Sequence, residues 1–114
     1  MRFVVLRKAD DQTEAGALPT RALVDAMLAY NRQMVDAGVM LAGEGLRPSS
    51  EGVRVVFDGA KTAVVDGPFT ESKEMVAGYS LIQTRTREEA IEWLRRWPVE
   101  DADGEVRLEL RAVL

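Results

Sequence analysis

Glu44 and Asp66 are the two carboxylates whose settings suit acid–base chemistry. Glu44 stands between Gly43 and Gly45 at a strand end, and Asp66 opens the stretch DGPFTESKE, residues 66–74. Two carboxylates in one dry cleft repel each other and lose solvation, which lifts one pKa and divides the pair into an acid and a base. Lys73 would hold a negative charge on the bound molecule. Phe69, Glu71 and Tyr79 complete the ligand-binding candidates. Each has a plain structural reading as well. Asp66 can cap turn amides, Phe69 can anchor the loop or meet a second subunit, and Glu71 and Lys73 can pair as solvated charges. Glu44 and Asp66 are thus candidates for catalysis, with no catalytic residue assigned.

The chain contains neither cysteine nor histidine. Disulfides, thiolate nucleophiles, Cys/His zinc sites and Ser-His-Asp triads therefore have no residues to form them. No motif calls for a metal or a cofactor. The net charge of −4 offers no basic footprint for nucleic acid or an anionic membrane. No apolar run approaches the roughly 18 residues of a membrane span, and Met1–Arg7 reads as a first strand rather than a signal peptide. The expected location is cytoplasmic.

These residues must be positioned by elements that the periodicity marks out. Phe3–Leu6 is a strand apolar on both faces. After a polar loop over residues 10–16, Thr20 caps a helix whose stripe is Leu23, Met27, Tyr30 and Met34, and Gly38 stops it. Met27 and Met34 read as core filler, and Arg21 as a surface charge. Val39–Ala42 begins the second strand and runs into Gly43–Leu46. Val53–Phe57 and Lys61–Val65 form a hairpin around Asp58-Gly59. Tyr79–Gln83 is another strand. Thr86-Arg87-Glu88-Glu89 has the form of a capping box, and the helix it opens ends at Pro98, with Trp93 and Trp97 packing it on the sheet. Residues 106–113 alternate as a half-exposed edge strand.

With 114 residues the chain fits a single domain, 1–114. Its class is α+β. Without the inserted hairpin the order is βαββαβ, the ferredoxin-like arrangement with both helices on one sheet face and the first and third core strands central. Those central strands send apolar side chains to both faces. The face that the helices leave open would be a large sticky patch on a monomer, to be covered by a second copy or by the hairpin folded over it. A homodimer, sheet against sheet, is the expectation preferred.

Gly43-Glu44-Gly45-Leu46, Asp66-Gly67-Pro68-Phe69, Glu71 and Lys73-Glu74, together with AGVMLAGEGL over 37–46 and EEAIEWLRRWP over 88–98, resemble the YciI-related family, specifically its DGPF-domain branch. The resemblance extends over nearly the whole chain. It implies a dimeric ferredoxin-like α+β barrel with an interfacial cleft. It also implies that proteins of this branch are mostly uncharacterised and often encoded beside extracytoplasmic-function sigma factors, while the wider group includes enzymes using a His-Asp pair on small hydroxylated aromatics. That pair cannot exist here. After Lys73-Glu74 the family's Gly-Gly-aromatic run is reduced to Gly78-Tyr79.

Three functions follow. The first is a homodimeric small-molecule-binding protein with an interfacial cleft near the 66–74 loop, lined by Glu44, Asp66 and Tyr79. The second is an accessory protein of a sigma factor. The third is a lyase or isomerase acting through carboxylates on a small aromatic or lactone. The first is the preferred expectation, and enzymatic activity is left open.

Overall fold

The computed structural model describes residues 1–114, the side chain of Ser72 apart. Strands β1 (Arg2–Lys8), β2 (Met40–Gly45), β5 (Val76–Gln83) and β6 (Leu108–Ala112) form one antiparallel sheet in the order β2-β5-β1-β6. Strands β3 (Val53–Asp58) and β4 (Lys61–Asp66) form a separate two-stranded sheet. The longer helices are α2 (Arg21–Asp36) and α3 (Arg87–Arg95), and a four-residue helix α1 (Asp11–Glu14) precedes them. The order is ferredoxin-like, with β1 and β5 central and the hairpin inserted between β2 and β5.

Alternation along β1 and β5 separates the two faces of the sheet. Phe3, Val5 and Ile82 join Tyr30 and Met34 of α2, Val39, and Ala90 of α3 in the core, with Met27, Trp93 and Trp97 packed against it. The Tyr30 hydroxyl donates to the Trp93 carbonyl at 2.6 Å. Burial pushes its pKa up to about 12, with the Arg96 charge opposing in part, so the phenol stays neutral. The two tryptophans flank Tyr30, with ring centroids 6.5 and 5.6 Å away. The opposite face presents Val4, Leu6, Ala42, Leu81 and Tyr79, framed by Lys8, Glu109 and Arg111.

Local chemistry sets the boundaries. Thr20 caps α2 by accepting from the Leu23 amide at 3.1 Å, and Gly38 takes a left-handed φ of 71° past its end. Thr86 caps α3 through the Glu89 amide at 3.1 Å. The return half of the expected capping box is replaced, because the Glu89 carboxylate pairs with Arg85 at 3.5 Å. Residues 10–16, read as loop, contain α1. There Asp10 and Thr13 make the reciprocal capping box, with Thr in the position usually held by Glu or Gln. Strand β5 begins three residues earlier than the alternation suggested, and β6 two residues later.

The hairpin is the outlier. Its apolar residues are exposed on both sides, Phe57 at 75%. It lengthens the molecule to 46 × 34 × 19 Å with a radius of gyration of 15.7 Å, against about 13 Å for a spherical domain of this length.

Candidate functional site

Residue size along the helix-facing surface of the sheet determines where a cavity opens. The register aligns three cross-strand rows there. Phe3, Ile82 and Met40 form the first, Val5, Ser80 and Gly43 the second, and Arg7, Gly78 and Gly45 the third. The first row fills the space under the helices. In the second, Val5 and Ser80 are buried and Met40 covers Gly43; in the third, Gly78 and Gly45 bring no side chain to the floor. The result is a cavity of about 880 Å³ bounded by α2, residues 16–20, the Gly43–Pro48 segment and the turn after Trp97. Leu23, Val24, Met27 and Leu28 of α2 supply an apolar roof. A side chain at Gly45 would meet nothing within 4 Å, whereas one at Gly43 would come within 2.5 Å of Met40 Cε. Gly45 therefore borders open space, and Gly43 is covered by Met40.

One wall is polar and highly ordered. Arg7 lies on the inward face of an otherwise apolar strand, its side chain only 12% exposed, and Asp101 faces it at 8%. The guanidinium grips Asp101 with two bonds, Nη2 to Oδ1 at 2.6 Å and Nε to Oδ2 at 3.3 Å, a fork-to-fork geometry that fixes both groups. Its remaining bonds go to Asp10 at 3.3 Å and to the Lys8 carbonyl at 2.8 Å. Trp97 Nε1 donates to Asp101 Oδ2 at 2.9 Å. Burial disfavours the Arg7 charge, but the Asp101 hydrogen bond and the two carboxylate charges prevail and raise its pKa further. Burial also works against the Asp10 carboxylate. The Thr13 amide and Arg7 outweigh it and hold that carboxyl below its usual range.

The bonds from Arg7 and Trp97 hold Asp101 at the start of a strained turn. Ala102 and Asp103 adopt left-handed φ values of 51° and 53°, followed by Gly104 at 82°. For a non-glycine residue this costs roughly 1–2 kcal/mol. Across the cavity, Asn31 of α2 contributes to the lining, and its buried Oδ1 has no partner among the described residues.

The candidates read from sequence fall into two groups. Glu44 and Tyr79 are register partners and border the cavity. Strand alternation turns their side chains to the open face, so it is their backbone that joins the wall. Asp66, Phe69, Glu71 and Lys73 lie at the hairpin base, outside the cavity lining. Asp66 is exposed and pairs in register with Val53. Phe69 is half-buried under Arg54, whose guanidinium lies 3.9 Å from the ring centroid. The same arginine meets Glu71 at 3.3 Å. Glu71's own amide, then Arg54, holds its carboxyl below the usual range. Ser49 ties the base to the rest of the molecule. It accepts from the Phe69 amide at 3.1 Å and donates to Glu14 through both its amide, at 3.0 Å, and its hydroxyl, at 2.5 Å. Gly67 passes so close to the Ser49 carbonyl that any Cβ would collide with it.

Sequence reading missed Arg7, Asp10, Asn31, Trp97 and Asp101. Arg7 carried a signal: it is a charge at the inward parity of an apolar strand, and such a charge needs a buried partner. That partner lies 94 positions away, and no local pattern could point to it.

The family model of the YCII-related domain matches residues 1–110. The chain belongs to the YCII-related family. A relative, "Uncharacterized protein R00369" of Rhizobium meliloti (strain 1021), is 33% identical over 67 residues. That match takes in 59% of this chain and 54% of the relative, so the chain spans about half the length of the curated relative it matches. Among solved structures, this YCII-related chain is similar to 5-chloro-2-hydroxyhydroquinone dehydrochlorinase (TftG) from Burkholderia phenoliruptrix AC1100, in complex with 2,5-dihydroxybenzoquinone, at 14% identity and a TM-score of 0.45. That likeness covers 96% of this chain and 91% of the other.

Proposed function

We propose that this YCII-related protein is a homodimer that binds a small organic molecule in the cavity between α2 and the sheet of each protomer. The observation that carries the reading is the cavity itself. Its volume of about 880 Å³ lies within the range of small-molecule sites, and an apolar wall with a few convergent polar groups is the usual composition of such sites. Gly45 borders space that a core side chain could fill, since a Cβ there would meet nothing within 4 Å.

The dimer draws support from a different surface. Val4, Leu6, Ala42, Leu81 and Tyr79 make the face away from the helices apolar, and the hairpin adds exposed Val55, Val56, Phe57, Val64 and Val65. A second copy shields both kinds of surface. In this reading Glu44, Asp66, Phe69, Glu71, Lys73 and Tyr79 contact ligand only if the partner's hairpin base is brought to the open face, as in the DGPF-type interfacial cleft. Sedimentation equilibrium should find a particle of twice the 12.6 kDa chain mass; a lone chain at micromolar concentration refutes the dimer.

Gly45→Phe tests the site. Its side chain enters empty space without backbone strain, so the fold should persist while any small-molecule ligand loses at least about tenfold in affinity. Full affinity in a folded Gly45→Phe protein would refute the cavity as the site. Glu44→Gln with Asp66→Asn addresses the other candidates, since undiminished binding by that pair removes them from the ligand's surroundings.

A further inference from the structure

We infer that the cavity selects a largely apolar molecule bearing a protonated amine. This rests on the small-molecule reading above and adds the chemical class. The roof of Leu23, Val24, Met27 and Leu28 and the side-chain-free floor at Gly45 and Gly78 accept an apolar body. The far wall decides the head group. The residues bordering it include Asp10, Glu100, Asp101 and Asp103, against Arg7. Arg47 also reaches the cavity and is neutralised by Glu51 at 3.4 Å. Four carboxylates against one guanidinium leave three net negative charges on this lining.

Hydrogen-bonding capacity is equally one-sided. Four of the five Arg7 N–H groups are directed at Asp101, Asp10 and the Lys8 carbonyl, so Arg7 has little left to offer an anion. Asp101 takes three bonds, from Arg7 and Trp97, and a carboxylate has about four acceptor positions. Glu100 and Asp103 make no ion pair among the described residues. Carboxylate acceptors are in surplus and the one cationic donor is largely committed, leaving only neutral donors such as Gln12, Asn31 and Ser80 on the lining, which favours a cationic ligand that donates. The amino end of α2 at Thr20 borders the cavity and brings an opposing field equal to roughly half a positive charge. One of its amides is already committed to the Thr20 hydroxyl. It is too weak to reverse three negative charges.

The test compares three probes of one shape: 3-phenylpropylamine, 3-phenylpropan-1-ol and 3-phenylpropanoate, titrated at low ionic strength, where screening is least. The amine should bind roughly tenfold or more tightly than the carboxylate, with the alcohol between. A double variant, Glu100→Gln with Asp103→Asn, alters two exposed groups and leaves Asp101 and Arg7 in place. It should shrink the preference for amine over carboxylate several-fold, with the neutral alcohol's affinity moving less than that of either charged probe. A carboxylate that binds as well as the amine overturns the inference while the small-molecule reading stands. If none of the three binds at millimolar concentration, or if Gly45→Phe leaves all three affinities unchanged, the cavity reading falls and this inference with it.

Discussion

The two ends of the helix-facing sheet surface use the same strands to opposite effect. At one end Phe3 and Ile82 lie side by side in register with Met40, and the helices close over them. At the other, Arg7, Gly78 and Gly45 occupy the equivalent positions, and α2 roofs a partly open cavity. The strands are shared, but β2 is irregular in register between Met40 and Ala42 and β1 between Arg7 and Lys8, so side-chain volume and these irregularities together separate core from pocket. The hollow end is then stiffened by the Arg7–Asp101–Trp97 network rather than by packing. One end stores stability and the other forgoes some of it to keep a space open.

The largest break in this comparison is expected at the packed end. Ile82 is fully buried, and Ile82→Ala should lower unfolding free energy by about 2–5 kcal/mol, read by urea denaturation. A loss comparable to a surface substitution would mean that the packed end is not close-packed. Next comes the network at the hollow end. Asp101→Ala leaves the half-buried Arg7 with Asp10 as its one remaining carboxylate and should cost about 2–4 kcal/mol, with the Trp97 fluorescence altered because the indole loses its hydrogen-bond partner. If the fluorescence and stability stay those of the parent, the network does not order this wall.

A smaller change of opposite sign is expected at the strained turn. Ala102 has φ 51°, so Ala102→Gly should gain about 0.5–1 kcal/mol once the greater freedom of unfolded glycine is offset; a loss would show that the turn is unstrained. The smallest effect concerns acid. The Asp10 carboxyl titrates lower folded than unfolded, so its contribution is complete above the unfolded value of 3.8 and is lost as pH falls beneath it. The side chain is 38% exposed, and screening limits the effect to less than about 1 kcal/mol. Asp10→Asn should therefore make the stability profile slightly flatter below pH 3.8. An unchanged acid limb would exclude Asp10 from it.

Local sequence was enough for the elements and their order, because periodicity, caps and turn residues act within a few positions. Thr20 and Thr86 cap the helices they were expected to cap. The ferredoxin-like arrangement followed from the βαββαβ order of elements, and the alternation in β6 and its absence in β1 and β5 agreed with their edge and central places. The YCII-related family was legible in the residues around Glu44 and Asp66. The cavity was not, since it depends on which residues become cross-strand neighbours. Gly45 and Gly78 are 33 positions apart in the chain and become one bare patch only when β2 pairs with β5. Arg7 and Asp101 find each other only when the last turn folds back over β1. Short-range preferences thus wrote the parts of this protein, and long-range register, which juxtaposes small residues and buried charges from distant segments, decided where it has room for a ligand.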